Sequence, residues 1–310
     1  MTDARKRRLK IGLYLPMAEG MMGGSTPRWN DILELARRAE DAGFDSVWIA
    51  DHFISKEPSG DFEGWWECGT LLAALAATTT RVEIGTGVIC TAFRNPALLA
   101  KMADTIDEVS GGRLILGIGA GWHDPEYLTF GYPTDHKYSR FEEALQIIHP
   151  LLKTGRVDFE GRFYSARECE LRPRGPRPDG PPIMIASTSP KMLNLTARYG
   201  DLWNGWMTHD PAQTEQPQAN MSKLDAACVD VGRAPETLPR VGMLMISTLE
   251  KVDPPRGPRG PVSGAPEEIA NAFRAYARAG VGHLVIANEP ETPQGLEALL
   301  PALELLDRDG

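Results

Sequence analysis

The sequence predicts an α/β protein, a (β/α)8 TIM barrel with insertions in the loops at the strand carboxyl ends. Three observations predict it. Short β-branched runs alternate with helix-length amphipathic stretches, which is the pattern of βα units and a parallel sheet. The alternation occurs eight times along the chain. The length of 310 residues exceeds most single domains but suits a barrel, which runs to roughly 250 residues or more as one unit. We therefore expect one barrel domain over residues 1–310. An open doubly wound sheet is the architectural alternative, although eight alternations close more naturally than they extend.

The strand candidates are Lys10 to Leu15, Ser46 to Ala50, Val82 to Ile89, Arg113 to Ile118, Pro182 to Ala186, Asp201 to Asn204, Arg240 to Ser247 and His283 to Ala287. Helices are expected near 27–42, 66–77, 96–109, 138–153, 190–199, 211–232, 266–279 and 293–307. Start signals support several of them. Thr26-Pro27 and Asn95-Pro96 each read as an N-cap followed by proline at the first helical position, and Pro266-Glu267-Glu268 sets acids in a first turn. Ile32, Leu35, Ala36 and Ala39 mark the inner face of the first helix, and Gly43 its stop. Three segments fit no βα unit: 52–65, 155–181 with a possible hairpin, and 251–264. Loops of that length are usually functional or mobile, and those at strand carboxyl ends would roof a site.

Composition narrows the function classes. Hydrophobic residues at 42% and charged residues at 24% are ordinary for a globular chain and suggest neither disorder nor a fibrous repeat. A net charge of -9 argues against general nucleic-acid binding, and the basic run Arg5 to Arg8 reads as a solvated arm. No apolar run approaches the ~18 residues of a membrane span, and the basic start leads into a strand, not a signal-peptide core, so a cytoplasmic location is expected. Cys68, Cys90, Cys169 and Cys228 form no C-x-x-C pair; they read as inert thiols, not a zinc site or a disulfide framework.

In a barrel, polar residues at strand carboxyl ends read as site residues. The second strand ends in Ala50-Asp51-His52, where apolar core gives way to the mouth. Imidazole titrates near neutrality and can exchange a proton with a substrate or reduced cofactor, while a carboxylate can hold its tautomer or position a ligand. The plain alternative is a turn-capping Asp and a His bonded to backbone. Strand three carries Gly85-Thr86-Gly87-Val88 and strand four Gly117-Ile118-Gly119-Ala120-Gly121. Glycines are tolerated in strands where another surface approaches closely, either a flat ring or the protein's own packing. Their spacing is not the dinucleotide fingerprint. After strand five, Ser187-Thr188-Ser189-Pro190-Lys191 opens a helix, either as a phosphate seat with Lys191 as partner or as an ordinary cap. Trp65, Trp66 and Trp122 are candidates for an apolar or aromatic substrate pocket, or for plain packing. His123, Asp124 and Glu126 lack further spaced ligands, so no metal is expected.

The runs Ser110-Gly111-Gly112-Arg113-Leu114-Ile115-Leu116-Gly117-Ile118-Gly119-Ala120-Gly121-Trp122, Arg94-Asn95-Pro96, Ala42-Gly43-Phe44-Asp45-Ser46-Val47-Trp48 and Ala197-Arg198-Tyr199-Gly200-Asp201-Leu202-Trp203-Asn204 resemble the bacterial luciferase-like superfamily of flavin and deazaflavin oxidoreductases. So do Phe130-Gly131-Tyr132-Pro133 and Arg140-Phe141-Glu142-Glu143. The resemblance implies a (β/α)8 barrel that binds coenzyme F420 or FMN at the strand carboxyl ends and forms a homodimer. It also implies a non-proline cis peptide at Gly87-Val88, and a role beside the ring for Asp51 and His52, the pair found in F420-dependent members. The sugar-phosphate dehydrogenases of the family carry a glutamate where this chain has Trp122, which disfavours that reaction.

The reading that results is hydride transfer between F420 and a small organic substrate. His52 and Asp51 would be the catalytic pair. Asp51, Thr86, Gly87, Val88, Gly119, Gly121, Ser187, Thr188, Ser189 and Lys191 would hold the cofactor, and Trp65, Trp66 and Trp122 the substrate. An FMN-dependent two-component monooxygenase served by a separate reductase is the alternative, and a non-catalytic flavin-binding barrel a further one. Leu98, Leu99, Met102 and Ile106 are candidates for a dimer face.

Overall fold

A computed structural model describes residues 7–56, 60–205, 215–249 and 261–308. Eight parallel strands close on themselves: β1 (Lys10–Tyr14), β2 (Ser46–Ile49), β3 (Glu83–Thr86), β4 (Leu114–Gly119), β5 (Ile183–Ala186), β6 (Leu202–Asn204), β7 (Arg240–Ser247) and β8 (His283–Glu289). Lys10 opposite His283 joins β1 to β8, and Ile183 opposite Leu116 joins β4 to β5, so every barrel strand has two neighbours. That closure excludes the open sheet. The expected third strand is interrupted: the Gly87-Val88 peptide is cis, and Ile89–Cys90 resumes as a two-residue strand on β4.

The helices are α1 (Trp29–Ala42), α2 (Cys68–Thr78), α3 (Pro96–Ser110), α4 (Asp124–Phe130), α5 (Lys137–Thr154), α6 (Pro190–Tyr199), α7 (Glu215–Asp230), α8 (Pro266–Arg278) and α9 (Pro293–Arg308). Asn95 caps α3 as expected, its Oδ1 accepting from the Ala97 and Leu98 N–H groups. Thr26-Pro27 does not cap α1. That helix starts two residues later, with Arg28 at the cap and the Asp31 carboxylate accepting the Arg28 N–H at 2.8 Å. Likewise α2 begins at Cys68, because the Glu67 side chain accepts from the N–H groups of Gly69 and Thr70 and acts as the cap. Helix α4 was not expected; it lies in the β4 loop.

Two of the three insertions contain antiparallel hairpins, Ile54–Lys56 with Phe62–Gly64 and Arg156–Glu160 with Ser165–Glu170. Of the expected segment 251–264, Val262–Ser263 adds to β7, and residues 251–260 lie outside the described ones, as do Arg5, Lys6 and the first four residues of the expected helix 211–232.

The barrel interior is filled, not hollow: Trp48, Ile115, Met184, Val241, Met243 and Val285 form its own apolar cluster. Trp48 is 1% exposed. A Cβ on Gly12 or Gly85 would meet Trp48 atoms at 2.6 and 2.4 Å, and a Cβ on Gly117 would meet the Thr86 carbonyl at 1.8 Å. Those glycines therefore make room for the protein's own packing, not for a bound ring. Beneath the indole, Trp48 Nε1 donates to Ser46 Oγ and that hydroxyl contacts His283 Nε2, both at 2.7 Å. Burial pushes the His283 imidazole down to about 3, so it is neutral there.

Candidate active site

At the carboxyl ends of the strands lies a cavity of ≈ 810 Å³, whose wall includes Tyr14, Asp51, His52, Trp65, Gly121 and Glu126. That size falls within the ~300–1,000 Å³ of small-molecule sites. Most of its wall is apolar or aromatic, with Met21, Met192, Met243 and Met245 among the described lining residues.

Asp51 and His52 both line the cavity, but they are not paired with each other. Asp51 is 3% exposed, and its carboxylate takes two hydrogen bonds from Arg94, at 2.6 and 2.9 Å, and one from the Cys90 N–H at 3.0 Å. Arg94 also pairs with Glu67. Burial pushes the Asp51 carboxyl above its usual range against the opposing pull of Arg94 and Cys90. Burial likewise works against the Arg94 charge, yet Asp51 and Glu67 outweigh it and hold the guanidinium firmly protonated. Burial also opposes ionisation of Glu67, but hydrogen bonds from Thr70, Arg94 and Gly69 bring its carboxyl down to about 2. Asp51 therefore does not hold His52: its carboxylate is bonded to Arg94 and to the Cys90 N–H, and the imidazole takes another carboxylate.

That carboxylate is Glu126. Its Oε1 lies 2.6 Å from His52 Nδ1 and its Oε2 accepts the Phe53 N–H at 2.9 Å. Glu126 is 1% exposed. The local sequence explains its position: Asp124-Pro125-Glu126 places acids and proline in the first turn of α4, Gly131 in the left-handed conformation ends it, and the helix hangs over the β2 loop. The His52 ring also packs near Trp65, centroids 5.0 Å apart, and Trp122, 5.9 Å apart. Tyr127 completes the anchor. Its hydroxyl donates to the Ala120 carbonyl at 2.9 Å and contacts Cys90 Sγ at 3.0 Å. Burial raises both groups, the Cys90 thiol up to about 11.

The remaining sequence candidates divide. Gly87, Val88, Gly119 and Gly121 line the cavity. Gly121 has φ +76°, and a Cβ there would fall 1.9 Å from the Tyr127 hydroxyl. Ser187, Thr188 and Ser189 also line it, although the Ser187 hydroxyl is engaged with Thr196 at 2.7 Å. Ser189 precedes α6 without capping it by its side chain, so the first N–H groups of that helix are open to an anion. Thr86 is fully buried, its hydroxyl donating to the Gly117 carbonyl and accepting the Gly117 N–H, which removes it from the wall. Lys191 stands outside the described wall, its ammonium 5.6 Å from the Tyr138 ring on α5. Trp66 does too, because its Nε1 is tied to the Pro27 carbonyl at 2.8 Å. Trp65 and Trp122 do line the cavity, Trp122 being 74% exposed at its edge.

Several lining residues escaped sequence reasoning. Tyr14 ends β1 and donates to the Gly87 carbonyl at 3.1 Å, and burial raises its phenol. Glu291 follows β8. Both follow the same strand-end rule, applied to strands one and eight. On the proposed dimer face, Leu98 is 54% exposed, whereas Leu99 and Ile106 are buried against the barrel. Among the described residues no cluster of three or more His, Cys, Asp or Glu could hold a metal ion, and no helix is long and apolar enough to cross a membrane.

The sequence profile of the luciferase-like monooxygenases matches residues 9–253. The chain belongs to the luciferase-like monooxygenase family. Within this family its relatives include an F420-dependent glucose-6-phosphate dehydrogenase of Amycolatopsis mediterranei (strain U-32), 34% identical over 178 residues, which are 55% of this chain and 51% of that protein. Pyrimidine monooxygenase RutA of Escherichia coli (strain K12) is 31% identical over 217 residues, 65% of this chain and 55% of RutA. The chain thus spans about half the length of the curated relatives it matches. Among solved structures, an F420-dependent secondary alcohol dehydrogenase in complex with an F420-acetone adduct superposes with a TM-score of 0.77 at 20% identity, covering 96% of this chain and 98% of that one. Monooxygenase RslO1 from Streptomyces bottropensis superposes with a TM-score of 0.78 at 22% identity, covering 97% and 100%. These superpositions carry the barrel fold of this luciferase-like chain.

Proposed function

We propose that this luciferase-like protein is an oxidoreductase that works with coenzyme F420 on a small apolar or aromatic substrate, with His52 exchanging the proton. The observation that carries the reading is His52 at the cavity wall with Nδ1 held by the buried Glu126. The family and the identity with an F420-dependent dehydrogenase support the cofactor class.

The residues fit such a group. The uncapped start of α6, with Thr188 and Ser189, suits a phosphate, and Gly87, Val88, Gly119 and Gly121 line the stretch of cavity wall against which a ring would lie. A deazaflavin, when bound, supplies or accepts a hydride. The chain's own part is to orient the substrate against Trp65 and Trp122, to keep water away with the methionine and aromatic wall, and to move one proton at His52. Asp51 and Arg94 brace the segment that follows the Gly87-Val88 peptide.

An FMN-dependent monooxygenase served by a separate reductase is the second reading, favoured by the match to RutA over 65% of the chain. Titrating the protein with F420 and with FMN, followed by quenching of tryptophan fluorescence, separates the two, and oxygen uptake with reduced FMN marks the monooxygenase. Binding of F420 in the micromolar range is expected. Failure of both cofactors to bind at that level would sink the reading, and full turnover by His52→Ala would remove the proton role. We further propose a homodimer, which light scattering of the purified protein measures.

A further inference from the structure

We propose that Glu126 is a positioning residue that fixes the tautomer of His52 and thereby makes Nε2 the atom at which the proton is exchanged. The inference rests on the reading of His52 given above. An ionised carboxylate can only accept hydrogen bonds. With Glu126 taken as the ionised carboxylate and its Oε2 accepting the Phe53 N–H, the 2.6 Å contact at Oε1 is assigned to a proton on His52 Nδ1. Neutral His52 then carries its lone pair on Nε2. When Nε2 takes a second proton, the imidazolium charge lies directly against the Glu126 carboxylate.

Two features make this more than a loop anchor. Both oxygens of one buried side chain, 1% exposed, bind consecutive residues of the β2 loop, so the ring cannot rotate without breaking one bond. The neighbouring rings of Trp65 and Trp122 confine the imidazole further. An amide in place of the carboxylate would expose the logic. The two donors meet different oxygens of Glu126, and Gln replaces one of these with a donor NH2, so in the same geometry it cannot accept from both the Phe53 N–H and Nδ1–H. Its oxygen would stay with the backbone, and its NH2 would face Nδ1 and favour the Nε2–H tautomer.

The test uses the full chain with 15N-labelled histidine, in which nitrogen chemical shifts report the tautomer of His52. Native protein should show Nδ1–H, and Glu126→Gln should shift to Nε2–H. Diethyl pyrocarbonate, which attacks the unprotonated ring nitrogen, should modify Nε2 of native His52, and Glu126→Gln should slow that modification about tenfold or more. Glu126→Ala should give a mixed tautomer that added formate returns to Nδ1–H through the cavity. A native His52 in the Nε2–H form would overturn the proposal without any variant, as would a Glu126→Gln protein with native tautomer and reactivity. These readouts need neither cofactor nor substrate. A failure of F420 and FMN to bind would therefore strike the functional reading while leaving the tautomer result to stand or fall alone.

Discussion

Replacing Arg94 by Met tests whether Asp51 is held as a charged carboxylate. Asp51 and Arg94 side chains are 0% and 9% exposed, and their two hydrogen bonds measure 2.6 and 2.9 Å. Removing one partner of a buried ion pair strands the other charge and typically costs about 3–5 kcal/mol. Had Asp51 been protonated, only a hydrogen bond of about 1 kcal/mol would be lost. The difference is readable by equilibrium urea unfolding with unchanged m-values, in a double-mutant cycle with Asp51→Asn. The variant also has a pH signature. Burial already sets the Asp51 carboxyl above its ordinary 3.8, and without Arg94 it acts with less opposition. The folded state then binds a proton more readily than the unfolded one, so stability falls as pH rises from about 4 upward and recovers in acid. We expect Arg94→Met to be weakest near neutrality. A loss below about 1 kcal/mol at pH 7, with no coupling to Asp51→Asn, would refute the charged pair.

Two further outcomes concern the foot of the barrel. His283 has its imidazole lowered to about 3 by burial, so the unfolded state binds the extra proton below the ordinary 6.5. This group should therefore remove up to about 1.4 kcal/mol of stability per pH unit as pH falls from 6.5, and His283→Asn should flatten that slope in acid unfolding curves. Arg113 donates five hydrogen bonds, to the Ser110, Val82, Ala76 and Thr79 carbonyls and to Thr79 Oγ1, at the amino-terminal end of β4. Arg113→Met should lower stability by a few kcal/mol, about 3–4, while leaving cofactor affinity unchanged; a specific loss of F420 binding with native stability would contradict that assignment.

The candidate site was legible in part. Asp51 and His52 stood out because a polar pair breaks an apolar strand, which is a local signal. Glu126 carried a signal too, since Asp124-Pro125-Glu126 is a helix start, yet nothing in the chain near it names His52, 74 residues away. The glycines of strands three and four were ambiguous for the same reason. A Cβ-free position says that something comes close, and only the packed barrel shows that Trp48 fills the space at Gly85 and the Thr86 carbonyl the space at Gly117. Trp66 and Lys191 do not line the cavity because the Trp66 indole is tied to the Pro27 carbonyl and the Lys191 ammonium lies near the Tyr138 ring.

By itself, the sequence determined the eight βα alternations, the strand ends from which the site is built and the family. Each of these depends on short-range periodicity or contiguous motifs, which the chain carries in every conformation. The tertiary structure decided the partners. Arg94 takes Asp51, Glu126 takes His52, and Trp48 occupies the interior, because closure of the barrel sets which loops meet above it, and that register follows from the packing of all eight strands at once.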